Sequence, residues 1–173
     1  MRLGVLDLGS NTTKILVVEA PPKDSFKVLL EKSISARMEL VPQEDGGCVL
    51  SPSSIEAVVD AVVALLTTAR ERSVDRIIAI GTDALRQAKN QVHLIEKLGK
   101  LQIELTILSG EEEARYVSLG LLSDPLVSNM DDLIGFDLVP FAIIFEPLFV
   151  ILRTFLVLFN RLVFLLVLIF LLH

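Results

Sequence analysis

Cysteine, histidine and basic charge are all scarce in this chain. It has one cysteine and two histidines in 173 residues, and 16 basic against 22 acidic side chains, for a formal net charge of −6. A single cysteine excludes an internal disulfide. Cys48 sits in the polar stretch "PQEDGGCVLSP" with no activating partner beside it, so it reads as a loop or buried thiol, not a nucleophile. His93 and His173 form no ligand set with Cys48 and read as surface histidines. The acidic balance excludes non-specific nucleic-acid binding, so an anionic ligand would need a local site of backbone amides, a metal or a placed arginine. No Walker A, GxGxxG, GxSxG or HExxH motif occurs. The N-terminus, "MRLGVLDLGSN", has no secretory apolar region, which points to a cytoplasmic protein unless the C-terminal segment changes that.

Glycine is missing altogether after Gly135. All nine glycines and nearly every charge lie in residues 1–137. Beyond them only Glu146, Arg153 and Arg161 are charged, and eight of the nine phenylalanines lie from Phe136 onward. This shift places a boundary near residue 138, separating 1–137 from an apolar Leu/Phe-rich segment, 138–173.

What the first segment does contain is regular. "RLGVLDL" reads as a buried strand, with "KILVVEA" as its hairpin partner across "GSNTT". "FKVLLEKSISARMEL" is a third extended stretch, and residues 41–50 read as a loop. Ser51-Pro52 opens a helix with proline at its first position. Ile55, Val58, Val59, Val62, Leu65 and Leu66 give it one apolar face. "DRIIAIG" is a strand, "TDALRQAKNQVHLIEKLG" a helix ending at Gly99, and "QIELTIL" a strand. Ser109 then caps "GEEEARYVSLGLL", with Glu112 completing a capping box, and "DLIGFDL" is the next strand. The order β-β-β-α-β-α-β-α-β predicts an α/β domain with a mixed sheet. No tandem repeat occurs.

Three stretches could carry chemistry. In "DLGSNTTK", Gly9 lets the backbone approach a ligand and the turn's amides can point at phosphate oxygens, while Asp7 can hold a metal. The plain alternative is a hairpin turn with Asp7 hydrogen-bonded to it. In "GTDALRQAKN", Thr82 or Asp83 is an N-cap and Arg86 could clamp a phosphate with the helix N-terminus. The alternative is a solvated surface arginine. In "SGEEEARYVSLG", the acidic first turn complements the helix dipole and Glu111 can pair with Arg115. Successive residues are about 100° apart around a helix, so one glutamate can face inward and serve as a general base.

Taken together, "GVLDLGSNTTKILVVE", "IAIGTDALRQAKN" and "ILSGEEEARYVSLG", in this order and spacing, resemble the exopolyphosphatase / guanosine pentaphosphate phosphohydrolase family over residues 1–138. That resemblance implies a ribonuclease H-like mixed sheet with flanking helices, one lobe of the actin–Hsp70–sugar kinase superfold. It implies cleavage of phosphoanhydride bonds in polyphosphate or guanosine pentaphosphate, with Mg²⁺, and homodimeric full-length relatives. Carried over residue by residue, the phosphate-binding positions match Gly9, Ser10, Asn11, Thr12 and Arg86. The metal-binding positions match Asp7 and Asp137. The catalytic glutamate matches Glu113, with Glu112 assisting.

The family continues after its second such strand with a Gly-Gly-Gly-Ser loop. Here "FDL" runs into "VPFAII". Val139 is β-branched where close backbone approach is needed, and Pro140 has no N–H to donate. The second phosphate turn and the second domain of the family are therefore expected to be missing, and activity impaired. The abrupt change reads as a frameshifted, truncated end. The alternatives are a fold-completing helix or a membrane anchor through residues 154–172. A spanning helix needs roughly 20 apolar residues, and Asn160 and Arg161 interrupt that stretch. A non-catalytic nucleotide- or polyphosphate-binding module is the alternative function.

Overall fold

The computed structural model describes residues 1–19 and 27–123, with side chains followed as far as Tyr116. The predicted strand "DLIGFDL", Asp137, the boundary near 138 and the apolar segment beyond it lie outside these residues. The chain falls into two compact units, Met1–Gly110 and one that starts at Glu111.

The first unit begins with β1 (Arg2–Leu8), β2 (Thr12–Glu19) and β3 (Lys27–Ser35), paired antiparallel in sequence. β6 (Arg76–Gly81) then pairs parallel to β1, and β7 (Leu105–Ile107) parallel to β6. The sheet order is β3-β2-β1-β6-β7. This is the mixed sheet that the element order predicts. β1 is its central strand, and Leu3, Val5, Leu6 and Leu8 are all buried. A strand covered on both faces carries a near-continuous apolar run in place of an alternating one.

One sheet face is covered by α1 (Pro52–Arg70) and α3 (Gln91–Lys100). Leu6, Leu8, Ile15 and Val17 of the sheet form one core with Ile55, Val58, Val62, Leu65 and Leu66 of α1 and Leu94 and Leu98 of α3. Each such side chain contributes about 1.5–3 kcal/mol when fully buried, so Leu65→Ala would cost about 2–5 kcal/mol. Ser51 caps α1 by accepting from the Ser54 amide at 3.2 Å, with Pro52 following as predicted. Arg70 in the last turn complements the dipole.

Two predicted elements differ. Residues 41–50 are not a plain loop: β4 (Leu40–Pro42) and β5 (Cys48–Leu50) pair antiparallel around a turn in which Gly46 has φ +80°. Strands of three residues are too short to show an alternating pattern. The helix expected over 82–99 is two helices, α2 (Asp83–Gln87) and α3. Between them Ala88 is extended and bridges Cys48, while the Lys89 amide donates to the Cys48 carbonyl at 2.9 Å. Pairing with β5 outweighs the local helical preference of "RQAKN". Nor does α3 stop at Gly99. The Ile103 amide donates to Leu98 O at 3.1 Å and the Gln102 amide to Gly99 O at 2.9 Å, with Gln102 at φ +61°. That is a Schellman end with glutamine in the left-handed position that glycine usually takes.

A last described helix, α4 (Gly110–Ser123), lies where the sequence places one, and all of it after Gly110 belongs to the second unit. Its first turn carries Glu111, Glu112 and Glu113.

Candidate functional site

The register sets where ligand-facing groups can gather. Leu8 is level with Gly81, and Gly81 with Ile107, so the three parallel strands end side by side. In open α/β sheets ligands bind outside these carboxyl ends. A Cβ at Gly81 would crowd the buried side chain of Leu85 on α2, which would have to shift.

The turn between β1 and β2 stands at this edge. The Gly9 amide donates to Thr12 O at 3.1 Å. A Cβ on Gly9 would lie 3.2 Å from that same oxygen, so a side chain there would force the turn to give by a few tenths of an ångström. Ser10 O accepts from the Met38 amide at 2.8 Å, and Asn11 O from the Ala36 amide at 3.2 Å. The turn's carbonyls are thus held by the segment running behind it. Among the described residues, the amides of the exposed Ser10 and Asn11 donate to no protein group. A turn with its carbonyls held and its amides presented can cradle an anion.

Asp7 lies one residue before the end of β1 and is half-buried. Its neighbours in the same row across the sheet are Lys14 on β2, Ile80 on β6 and Thr106, next over on β7.

Arg86 is on α2 and its side chain is only 26% exposed, which excludes the reading as a solvated surface arginine. Its Nη1 donates to Leu108 O at 2.8 Å, and Nη2 pairs with Asp83 at 3.4 Å. Leu108 in turn donates its amide to Gly81 O at 2.9 Å. The guanidinium is therefore fixed at the carboxyl ends of β6 and β7. The other motif residue that attracts attention, Asn90, is structural. It accepts from the Leu50 amide at 2.7 Å and donates to Leu50 O at 2.9 Å. Thr82 makes no side-chain cap, and Asp83 is engaged by Arg86 and by Gln87 Nε2 at 2.6 Å. Because α2 has five residues, it has little dipole to offer a phosphate.

In the second unit, Glu111 and Glu112 are exposed while Glu113 is half-buried, the one of the three to turn from solvent. Asp137 lies outside the described residues.

The expected Mg²⁺ is compatible with what the strand ends provide. Among the described residues no group of three His, Cys, Asp or Glu forms a cage. Mg²⁺ dehydrates reluctantly and is held by one or two carboxylates plus substrate oxygens, which suits a half-buried Asp7 beside an anion cradle. When bound it would neutralise charge on the phosphate chain.

A mixed sheet of this order, with a tight Gly-Ser-Asn turn between its first two strands, has the fold of one lobe of the actin-like superfold. Within it the chain belongs to the Ppx/GppA phosphatase family, whose pattern matches residues 17–133. It is 29% identical over 122 residues to Exopolyphosphatase 1 of Mycobacterium tuberculosis, a match covering 70% of this chain and 35% of that protein. The corresponding Mycobacterium leprae protein is 28% identical over 128 residues. The crystal structure of an exopolyphosphatase from Cytophaga hutchinsonii superposes with a TM-score of 0.63 at 23% identity, covering 72% of this chain and 39% of that one. The Ppx/GppA phosphatase of Aquifex aeolicus, type II variant, gives 0.61 at 24% identity, covering 70% and 40%. The match thus spans about a third of the length of the curated relatives, the 35% above.

Proposed function

We propose that this chain supplies the phosphate-binding lobe of an enzyme that hydrolyses phosphoanhydride bonds in inorganic polyphosphate, with guanosine pentaphosphate as the competing substrate, in the cytoplasm. The Gly9–Thr12 turn carries the reading. Its carbonyls are held by Ala36 and Met38, its exposed amides are presented, and it opens where Arg86 is anchored.

Phosphoryl transfer asks a protein mainly for positioning and charge stabilisation. The amides of Ser10 and Asn11 and the hydroxyls of Ser10 and Thr12 would hold phosphate oxygens. Arg86 would spread the developing charge, and Asp7 would hold the Mg²⁺, while Asp137, outside the described residues, matches the family's other metal-binding position by resemblance. Glu113 would accept a proton from water as its oxygen bonds to the terminal phosphorus, with Glu112 assisting. The bond from that phosphorus to the bridging oxygen breaks, and the bridging oxygen leaves on the shortened chain. Turnover is expected to be impaired, because Val139 and Pro140 stand where the second phosphate turn would need glycine and an N–H. Phosphate release from long-chain polyphosphate with Mg²⁺ tests this. Slow release that Glu113→Gln abolishes supports it, and release untouched by that change refutes the catalytic assignment.

Pro140 also favours the second reading, a non-catalytic nucleotide- or polyphosphate-binding module attached to a membrane through residues 154–172. Asp7→Ala weakens binding under both readings, but only an enzyme loses turnover with Glu113→Gln.

A further inference from the structure

We infer that Asp83 is a positioning residue for Arg86, holding its guanidinium in the pose in which it meets a phosphate group. This rests on the reading of Arg86 as a phosphate-binding residue.

The arginine head is held at two points. Nη1 donates to Leu108 O at 2.8 Å, and Nη2 lies 3.4 Å from Asp83 Oδ1. Leu108 is itself fixed, its amide donating to Gly81 O at 2.9 Å. A guanidinium is planar and rigid. One anchor would let it swing about the Leu108 carbonyl, whereas a second anchor on the other terminal nitrogen fixes its tilt. That second anchor is braced in turn, because Asp83 Oδ2 accepts from Gln87 Nε2 at 2.6 Å. Asp83, Arg86 and Gln87 stand at i, i+3 and i+4 on α2, so the three side chains share one helix face. Each carboxylate oxygen has its own partner, and turning the carboxylate would break one of the two contacts.

The usual roles of an acid in a first helical turn do not apply here. Thr82, not Asp83, stands at the N-cap, and a five-residue helix offers little dipole for an acid to complement. As an ion pair for stability it would add little, since the Asp83 and Arg86 side chains are 52% and 26% exposed. A carboxylate beside an anion site also opposes binding by like-charge repulsion, in a chain already at −6. Ordering Arg86 in advance offsets that repulsion, because binding then no longer bears the entropy cost of fixing a long flexible side chain.

Titration calorimetry of the full chain with sodium tripolyphosphate, with and without Mg²⁺, tests this, with thermal unfolding of each variant alongside. Arg86→Ala should weaken binding by about tenfold or more, the order of one charge-assisted hydrogen bond. Asp83→Ala should weaken it by about two- to tenfold, the equivalent of one flexible side chain left to be ordered on binding. Asp83→Asn exchanges the charged acceptor for a weaker neutral one and should also weaken binding, by less; it stands in should the alanine variant fold poorly. In the Arg86→Ala background, Asp83→Ala should weaken binding no further, a coupling that a merely structural role would not produce. Affinity equal to or above that of the wild type in both Asp83 variants overturns the inference, since Asp83 would then only repel the ligand. An undiminished loss in the Arg86→Ala background overturns it too. If Arg86→Ala weakens binding and the Asp83 variants do not, this inference falls alone. If Arg86→Ala binds as the wild type does, or the wild type binds no tripolyphosphate, the phosphate reading of Arg86 falls with it.

Discussion

Asn90 satisfies both backbone groups of Leu50, accepting from its amide at 2.7 Å and donating to its carbonyl at 2.9 Å across forty residues of chain. One side-chain amide thereby acts as a peptide group added to the end of β5, and it fastens the α2–α3 junction to the β4–β5 hairpin. Leu50 is 1% exposed, so water cannot replace these bonds. Asn90→Ala should cost about 1–3 kcal/mol for each group stranded, read as a lower urea midpoint with little change in slope. An unchanged midpoint would show that the junction relaxes.

Gly9→Ala should act on binding more than on folding. The added methyl would meet Thr12 O at 3.2 Å and push the turn away from the geometry that presents its amides. Tripolyphosphate affinity should fall by about tenfold, one charge-assisted hydrogen bond, and an alanine variant with full affinity would remove the tight turn from the site.

Helix α3 holds its glycine three residues too early. At Gly99 a Cβ meets nothing within 4 Å, while Gln102 occupies φ +61°. Gly99→Ala and Gln102→Gly should each stabilise the chain by about 0.5–1 kcal/mol. Thermal unfolding of the two variants checks both signs.

Thr13 is fully buried, and its hydroxyl has no hydrogen-bond partner. Thr13→Val keeps the shape and removes that cost, so stability should rise by about 1 kcal/mol or more. A destabilised valine variant would mean that the hydroxyl finds a partner in solution.

Asp45 ties the β4–β5 turn to the chain beyond α2. Lys89 Nζ, 2.6 Å away, and then the Gly47 amide hold its carboxyl below the ordinary value of 3.8. The folded state favours the charged form, so the contribution is present above that value and is lost as pH falls through the lower folded one. Wild type and Asp45→Asn should differ in Tm at neutral pH and converge below about pH 4. A gap that stays constant into acid would sink the ion-pair account.

Much of this was legible from local pattern. The apolar run of β1, the Gly-Ser-Asn turn and the spacing from Ile55 to Leu66 each encode their element within a few residues, and all three elements are present. Ala88 is different: its extended conformation depends on Cys48, forty residues away, and no window around "RQAKN" contains that partner. Arg86 could be named by resemblance, yet the groups that hold it, Leu108 O and Asp83, follow only from the fold.

The row Leu8, Gly81, Ile107 also says when a site can exist during folding. The β1–β2 hairpin is local and can close early, but its turn becomes part of a strand-end platform only after β6 and then β7 dock beside β1. Those pairings close long loops and come late. Were a phosphate chain to bind this turn, its capture would therefore report the docking of β7, the last strand among the described residues, and so gauge how far that part of the sheet has assembled.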